Sequence, residues 1–113
     1  MVLNLGILIS GNGSNMLNIV EQCKNKNLSC DVKVVISNQD CLGIKKAQKL
    51  NLKTFVIKPE RFEDRNFYEE NLSKLLKEND VQLICLAGYM LKLGDAFVSS
   101  WPKKIINIHP SLL

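Results

Sequence analysis

Apolar residues run almost unbroken from Leu3 to Ile9 and stop at Ser10-Gly11. A run of that length bounded by glycine predicts a strand covered on both faces. From Ser14 the spacing changes. Met16, Ile19, Val20 and Cys23 fall at i, i+3, i+4 and i+7, one stripe of a helix. The same change of period then repeats along the chain. Residues 32–36 predict a second strand, and Ile44, Ala47 and Leu50 a short helix. Residues 54–57 predict a third strand, ended by Pro59. Tyr68, Leu72, Leu75 and Leu76 mark a longer amphipathic helix reaching about Glu78. Residues 81–86 predict a fourth strand, Asp95–Ser100 a short helix stopped by Trp101-Pro102, and residues 105–108 a fifth strand.

Strands separated by helical segments of this size imply βαβ units joined by right-handed crossovers. The expected fold class is α/β: a three-layer, Rossmann-like parallel sheet with helices on both faces. At 113 residues the chain has the size of one small domain, residues 1–113, with no internal repeat or linker.

Composition narrows the function classes. Hydrophobic residues make up 46% and charged residues 23%, which excludes disorder. The net charge of +4 suits an anionic ligand. The basic residues are dispersed, with adjacent pairs only at Lys45-Lys46 and Lys103-Lys104, and no aromatic residues interleave with them. A nucleic-acid partner is therefore not expected. No apolar stretch approaches the ~20 residues that span a bilayer, and residues 1–10 lack the basic start of a signal peptide, so no membrane partner is expected either. Cys23, Cys30, Cys41 and Cys85 show no C-x-x-C spacing and the single His is far from them, so no metal site is expected. All four read as reduced thiols, which predicts a cytoplasmic protein.

Two segments carry chemistry. Ser10-Gly11-Asn12-Gly13-Ser14-Asn15 joins the first strand to the first helix. A helix start there offers free N–H groups and a partial positive charge to an anion, and glycine lets the backbone come close. The dinucleotide fingerprint requires a further glycine where Met16 stands and an acid where Ser37-Asn38 stand, and no Gly-Lys-Ser/Thr follows for a P-loop. A monophosphate site remains, beside the plainer alternative of a tight turn in which Asn12 or Ser14 caps the helix. On the phosphate reading, Gly13→Val abolishes anion binding with little loss of fold. At the end of the fifth strand, Asn107 and His109 fall on one face with Ile108 opposite. That is where open α/β sheets bind ligands, and both residues are expected to face one cleft near Met90 and the glycine turn. His109 can act as general acid or base, and Asn107 can donate to an oxyanion. The alternative is a polar pair that merely closes the strand end by hydrogen bonds.

Taken together, Ser-Gly-x-Gly-Ser-Asn after the first strand and Asn-x-His-Pro-Ser-Leu-Leu after the fifth resemble the phosphoribosylglycinamide formyltransferases. Ser37-Asn38 and Leu86-Ala87-Gly88-Tyr89-Met90 also match that family's pattern, and the resemblance runs over all 113 residues. It implies transfer of a formyl group from 10-formyltetrahydrofolate to the amine of 5'-phosphoribosylglycinamide in de novo purine biosynthesis. It implies that Gly13, Ser14 and Asn15 hold the substrate phosphate, and that Arg65, Met90, Leu91, Lys92, Leu93 and Asn107 line the folate site. The family usually has Arg at the position of Lys92. His109 is implied as the catalytic proton donor, with Asn107 beside it. The family's chain continues past the His-Pro-Ser-Leu-Leu segment with a catalytic Asp, part of the folate pocket and the rest of the sheet. The 113 residues are thus expected to be its N-terminal part, truncated after the fifth strand. Alone they are expected to bind phosphate weakly, to transfer no formyl group and to self-associate through an open edge. Two alternatives stand: a non-catalytic phosphate-binding remnant, and a hydrolase like formyltetrahydrofolate deformylase.

Overall fold

A computed structural model describes residues 2–25 and 27–108. The elements alternate as the hydrophobic pattern predicts: β1 (Leu3–Ile9), α1 (Ser14–Lys24), β2 (Cys30–Ser37), α2 (Leu42–Lys49), β3 (Thr54–Val56), α3 (Arg65–Glu78), β4 (Leu83–Leu86), α4 (Asp95–Ser100) and β5 (Ile105–Asn107). A 3-10 turn, Pro59–Arg61, precedes α3. The five strands pair in parallel in the order β3-β2-β1-β4-β5.

Alternation along the strands divides the core in two. Leu5, Ile7, Ile9, Val35 and Cys85 pack on one face against Met16, Ile19 and Val20 of α1 and Ile44 and Ala47 of α2. Leu8, Val34, Ile36 and Ile84 pack on the other against Tyr68, Leu72 and Leu76 of α3 and Phe97 of α4, with Trp101 beyond it. Each central strand is thus apolar on both sides, which is why β1 reads as an unbroken run. Chain order runs outward from β1 in both directions, so β1 and β4 flank the point where the connections reverse. The carboxyl-end loops part there and leave a crevice.

One expectation is corrected. Cys23 and Cys30 form a disulfide, with Cα atoms 5.6 Å apart, while Cys41 and Cys85 are free. The crossover brings the last turn of α1 back beside the first residue of β2. The cysteines meet through that fold, and their separation of seven residues shows nothing of it. The cytoplasmic expectation loses the support of cysteine usage.

Candidate active site

Ser10, only 1% exposed, ends β1 and ties three loops together. Its hydroxyl donates to Asn38 Oδ1 after β2 and accepts from the Met90 amide after β4 at 2.8 Å. Its carbonyl accepts from Gln39 Nε2 at 2.7 Å. Ser37, fully buried, holds this second loop by donating to the Gln39 carbonyl at 2.7 Å. The glycine turn and the Met90 loop are therefore neighbours, as expected.

The turn itself packs on α2. Gly13 is left-handed, φ 80°, and caps α1. A Cβ on Gly13 would lie 2.7 Å from Gly43 Cα, and a Cβ on Gly43 would lie 2.8 Å from Gly11 O. The Gly43 amide donates to Gly11 O at 3.0 Å. This corrects the expectation for Gly13→Val. A side chain there strains the backbone and collides with α2, so loss of binding would come with loss of fold. The Ser14 amide donates to Asn12 Oδ1 at 3.1 Å, and the Leu17 amide to Gly13 O at 2.9 Å. The N–H groups of Asn15 and Met16 lie in the first turn of α1, with no carbonyl four residues back inside the helix to accept from them. Ser14 is exposed and Asn15 half-buried.

On the other side of Met90 opens a cleft of about 510 Å³. Met90, Leu91, Lys92, Leu93 and Asn107 all line it, together with Leu86, Tyr89, Val98 and Ile105. Met90 is 79% exposed. Arg65 does not line this cleft; its guanidinium reaches the loop from behind and donates to the Lys92 carbonyl at 3.0 Å. Asn107 is exposed at the end of β5, opposite Leu86 of β4. His109 lies outside the described residues. The cleft's lining is mostly apolar, with Lys92 and Asn107 among its polar residues, a composition common in small-molecule sites. A larger groove, about 730 Å³, lies between α3 and α4. Its walls are helix faces with alternating charges (Glu70, Lys74, Lys77, Glu78), and no strand end opens into it.

Tyr89 lies in the Leu86–Met90 segment that the resemblance singles out, but the sequence does not disclose Tyr68 and Glu69 as parts of this region. Tyr68 and Tyr89 share a hydrogen bond between hydroxyls at 2.6 Å. Burial pushes both phenols above their ordinary range, and for Tyr89 the bond to Tyr68 adds to it, so both stay neutral. Glu69, 5% exposed, accepts from the Gly94 amide with both carboxylate oxygens, at 3.2 and 3.0 Å.

The sequence matches the formyl transferase family over residues 3–113. It is 36% identical over 112 residues to phosphoribosylglycinamide formyltransferase of Escherichia coli, a match that takes in 98% of this chain and 53% of that one. It is also 36% identical over 110 residues to the human trifunctional purine biosynthetic protein adenosine-3, covering 96% of this chain and 11% of the human protein. Among solved structures, the phosphoribosylglycinamide formyltransferase of Coxiella burnetii superposes with a TM-score of 0.90 at 42% identity, over 97% of this chain and 52% of that one. The enzyme of that name from Brucella melitensis superposes with a TM-score of 0.93 at 30% identity, over 97% and 58%. The chain thus spans about half the length of these single-function relatives. The strand order, the glycine turn, the Met90 cleft and a match over nearly every residue agree: the chain belongs to the formyl transferase family.

Proposed function

We propose that this chain supplies the acceptor-phosphate and formyl-donor sites of a phosphoribosylglycinamide formyltransferase. The observation that carries the reading is the juxtaposition at Ser10, which leads into the glycine turn opening α1 and whose hydroxyl accepts from the Met90 amide at the edge of the apolar cleft. The phosphate of 5'-phosphoribosylglycinamide would sit on the N–H groups of α1, against Gly13, Ser14 and Asn15. The folate of 10-formyltetrahydrofolate would enter between Met90, Leu91, Lys92, Leu93 and Asn107, with Arg65 behind the loop.

The acceptor amine attacks the formyl carbon, and the carbonyl oxygen takes up negative charge. Asn107 donates its amide N–H to that oxygen, and a protonated His109 supplies a second donor and a proton. One such donor lowers the barrier by about 3 kcal/mol, and general acid catalysis contributes about 10²–10⁴-fold. Collapse of the tetrahedral species breaks the bond to the folate nitrogen, which gains a proton as the acceptor nitrogen loses one. The products are the formylated acceptor and tetrahydrofolate.

Residues 1–113 act in this reading as one domain, the N-terminal part of the family's fold, and turnover draws on the part of the relatives this chain does not span. The cytoplasm is the proposed compartment, on the strength of the purine-synthesis enzymes it resembles. The test is formyl transfer by the 113-residue chain beside the same chain joined to the second half of the Escherichia coli relative. Acceptor-dependent loss of 10-formyltetrahydrofolate is expected from the joined protein. A folded joined protein that consumes the donor without the acceptor would be a hydrolase. One that binds phosphate and transfers nothing would be a non-catalytic module. Equal turnover by the 113-residue chain would refute the proposed dependence on the second half.

A further inference from the structure

We propose that Arg65, Tyr68 and Glu69 form a positioning clamp for the loop that walls the donor cleft, with Glu69 setting where that loop stands. The inference rests on the donor reading for its consequence in catalysis, but not for its geometry.

The three residues open α3 at i, i+3 and i+4, so they share one face of the helix. They reach the loop at three successive places. Tyr68 bonds the Tyr89 hydroxyl at 2.6 Å, Arg65 Nη2 donates to the Lys92 carbonyl at 3.0 Å, and Glu69 receives the Gly94 amide. Two of these grips are on main chain, at the Lys92 carbonyl and the Gly94 amide. Met90, Leu91 and Lys92 are left to contact a ligand. The loop's near end is held separately by Ser10, through the Met90 amide.

Glu69 is the member that demands a reason. A buried carboxylate is costly unless its charge is compensated. Here the compensation is one amide and a guanidinium nitrogen of Arg65 at 4.0 Å. Gly94 points to what the contact is for. Its backbone, φ −76° and ψ 161°, is open to any L-residue. Yet a Cβ there would lie 2.7 Å from Glu69 Oε1. The missing side chain at Gly94 therefore serves the approach of the carboxylate and not the backbone conformation.

The test uses Glu69→Leu, which removes the acceptor, and Glu69→Gln, which keeps one oxygen facing Gly94. In the protein that shows acceptor-dependent transfer, Glu69→Leu should raise KM for 10-formyltetrahydrofolate about 10-fold or more, the factor a lost charge-assisted hydrogen bond corresponds to. KM for the phosphorylated acceptor should stay within about 2-fold, since its site lies across Ser10. Glu69→Gln should restore the donor KM to within about 3-fold of the parent. In the 113-residue chain without ligand, amides of residues 91–94 should exchange about 10-fold faster in Glu69→Leu, with β1 and β4 unchanged. Equal rises in both KM values, or unchanged exchange at 91–94 in a folded variant, would overturn the clamp. Should Glu69→Leu fail to fold, Gly94→Ala presses on the carboxylate from the loop side and should give the same selective rise and faster exchange. If the parent transfers no formyl group, the donor reading fails, and the exchange measurement alone still decides the clamp.

Discussion

Replacing Gly43 by alanine tests whether the glycine turn is held in place by α2. The added Cβ would stand 2.6 Å from Ile9 Cδ1, 2.8 Å from Gly11 O and 3.1 Å from Gly13 Cα. The isoleucine tip can rotate away, but the other two atoms are backbone. Restoring ordinary contact at Gly11 O requires a shift of about half an ångström in the turn or in the start of α2. Overpacking of this kind costs about 1–3 kcal/mol. Alanine recovers up to about 1 kcal/mol through helix propensity, less at the second helical residue. A net loss of about 1–2 kcal/mol follows, a fall in Tm of roughly 4–10 °C for a domain this size. The same shift displaces the anion-facing N–H groups, so affinity for the phosphorylated acceptor should drop about 5-fold, the factor for about 1 kcal/mol of weakened hydrogen bonding. Leu42→Ala, at a neighbouring side chain that is 54% exposed, is the control and should change stability by less than about 0.5 kcal/mol. Calorimetric melting and phosphate-ligand titration read both effects. A Gly43→Ala variant that melts at or above the parent temperature would refute the reasoning, because α2 would then not bear on the turn.

Ser10→Ala strands the Met90 amide and the Asn38 side chain at a part-buried site, so it should cost about 1 kcal/mol in denaturant unfolding and speed exchange at Met90. Burial raises the Cys85 thiol from an ordinary value near 9.0 to about 11. Its stability contribution is thus complete below pH 9 and lost as pH rises toward 11. The stability gap between the parent and Cys85→Ala should narrow by about 2 kcal/mol between pH 8 and pH 10.5, and a constant gap would contradict the shift. Among the described residues β5 pairs only with β4, and Ile106 and Val98 are 41% and 46% exposed. Sedimentation of the 113-residue chain should show self-association that Ile106→Lys weakens; a monomer at about 100 µM, roughly the concentration at which exposed edges associate, would exclude it.

The strands and helices are legible in the sequence because burial on both sheet faces leaves a strong signal: β1 and α4 carry the bounds the pattern predicts. Elements drift where polar residues join them. α3 begins at Arg65, ahead of its apolar stripe, because Asp64 caps it by accepting from the Phe67 amide at 3.0 Å. β2 begins at Cys30 because Cys30 and Asp31 pair with Leu3 and Asn4 at the strand's amino end. β4 begins only at Leu83, since the Val81 amide still bonds Leu76 O at the end of α3. Met90 to Leu93 and Asn107 line one cleft, while Arg65, which the resemblance implies for the same site, does not line it and reaches the loop at the Lys92 carbonyl. The supports do not announce themselves. Glu69 beside Glu70 reads as solvated charge, and Gly43 as an ordinary glycine, because what gives each its role is a contact from a distant part of the chain.

The supports explain how loops can hold a site that needs accuracy. Loops are ordinarily the mobile parts of an α/β domain. Here each one is tied to something rigid at more than one place. The glycine turn is pressed on α2 at Gly43, the loop after β2 is fastened through Ser37 and Gln39, and the Met90 loop is gripped by Ser10 on one side and α3 on the other. The sheet order makes this arrangement available. Because the connections reverse at β1 and β4, loops from both strands stand over the same crevice, and one short side chain at the end of β1 spans the gap between them. A serine suits that place: its single hydroxyl donates to one loop while it accepts from the other. Alanine could do neither, and a longer side chain would hold the loops further apart. The distance between the start of α1 and the Met90 loop is therefore set at Ser10, where the Met90 amide donates to the serine hydroxyl.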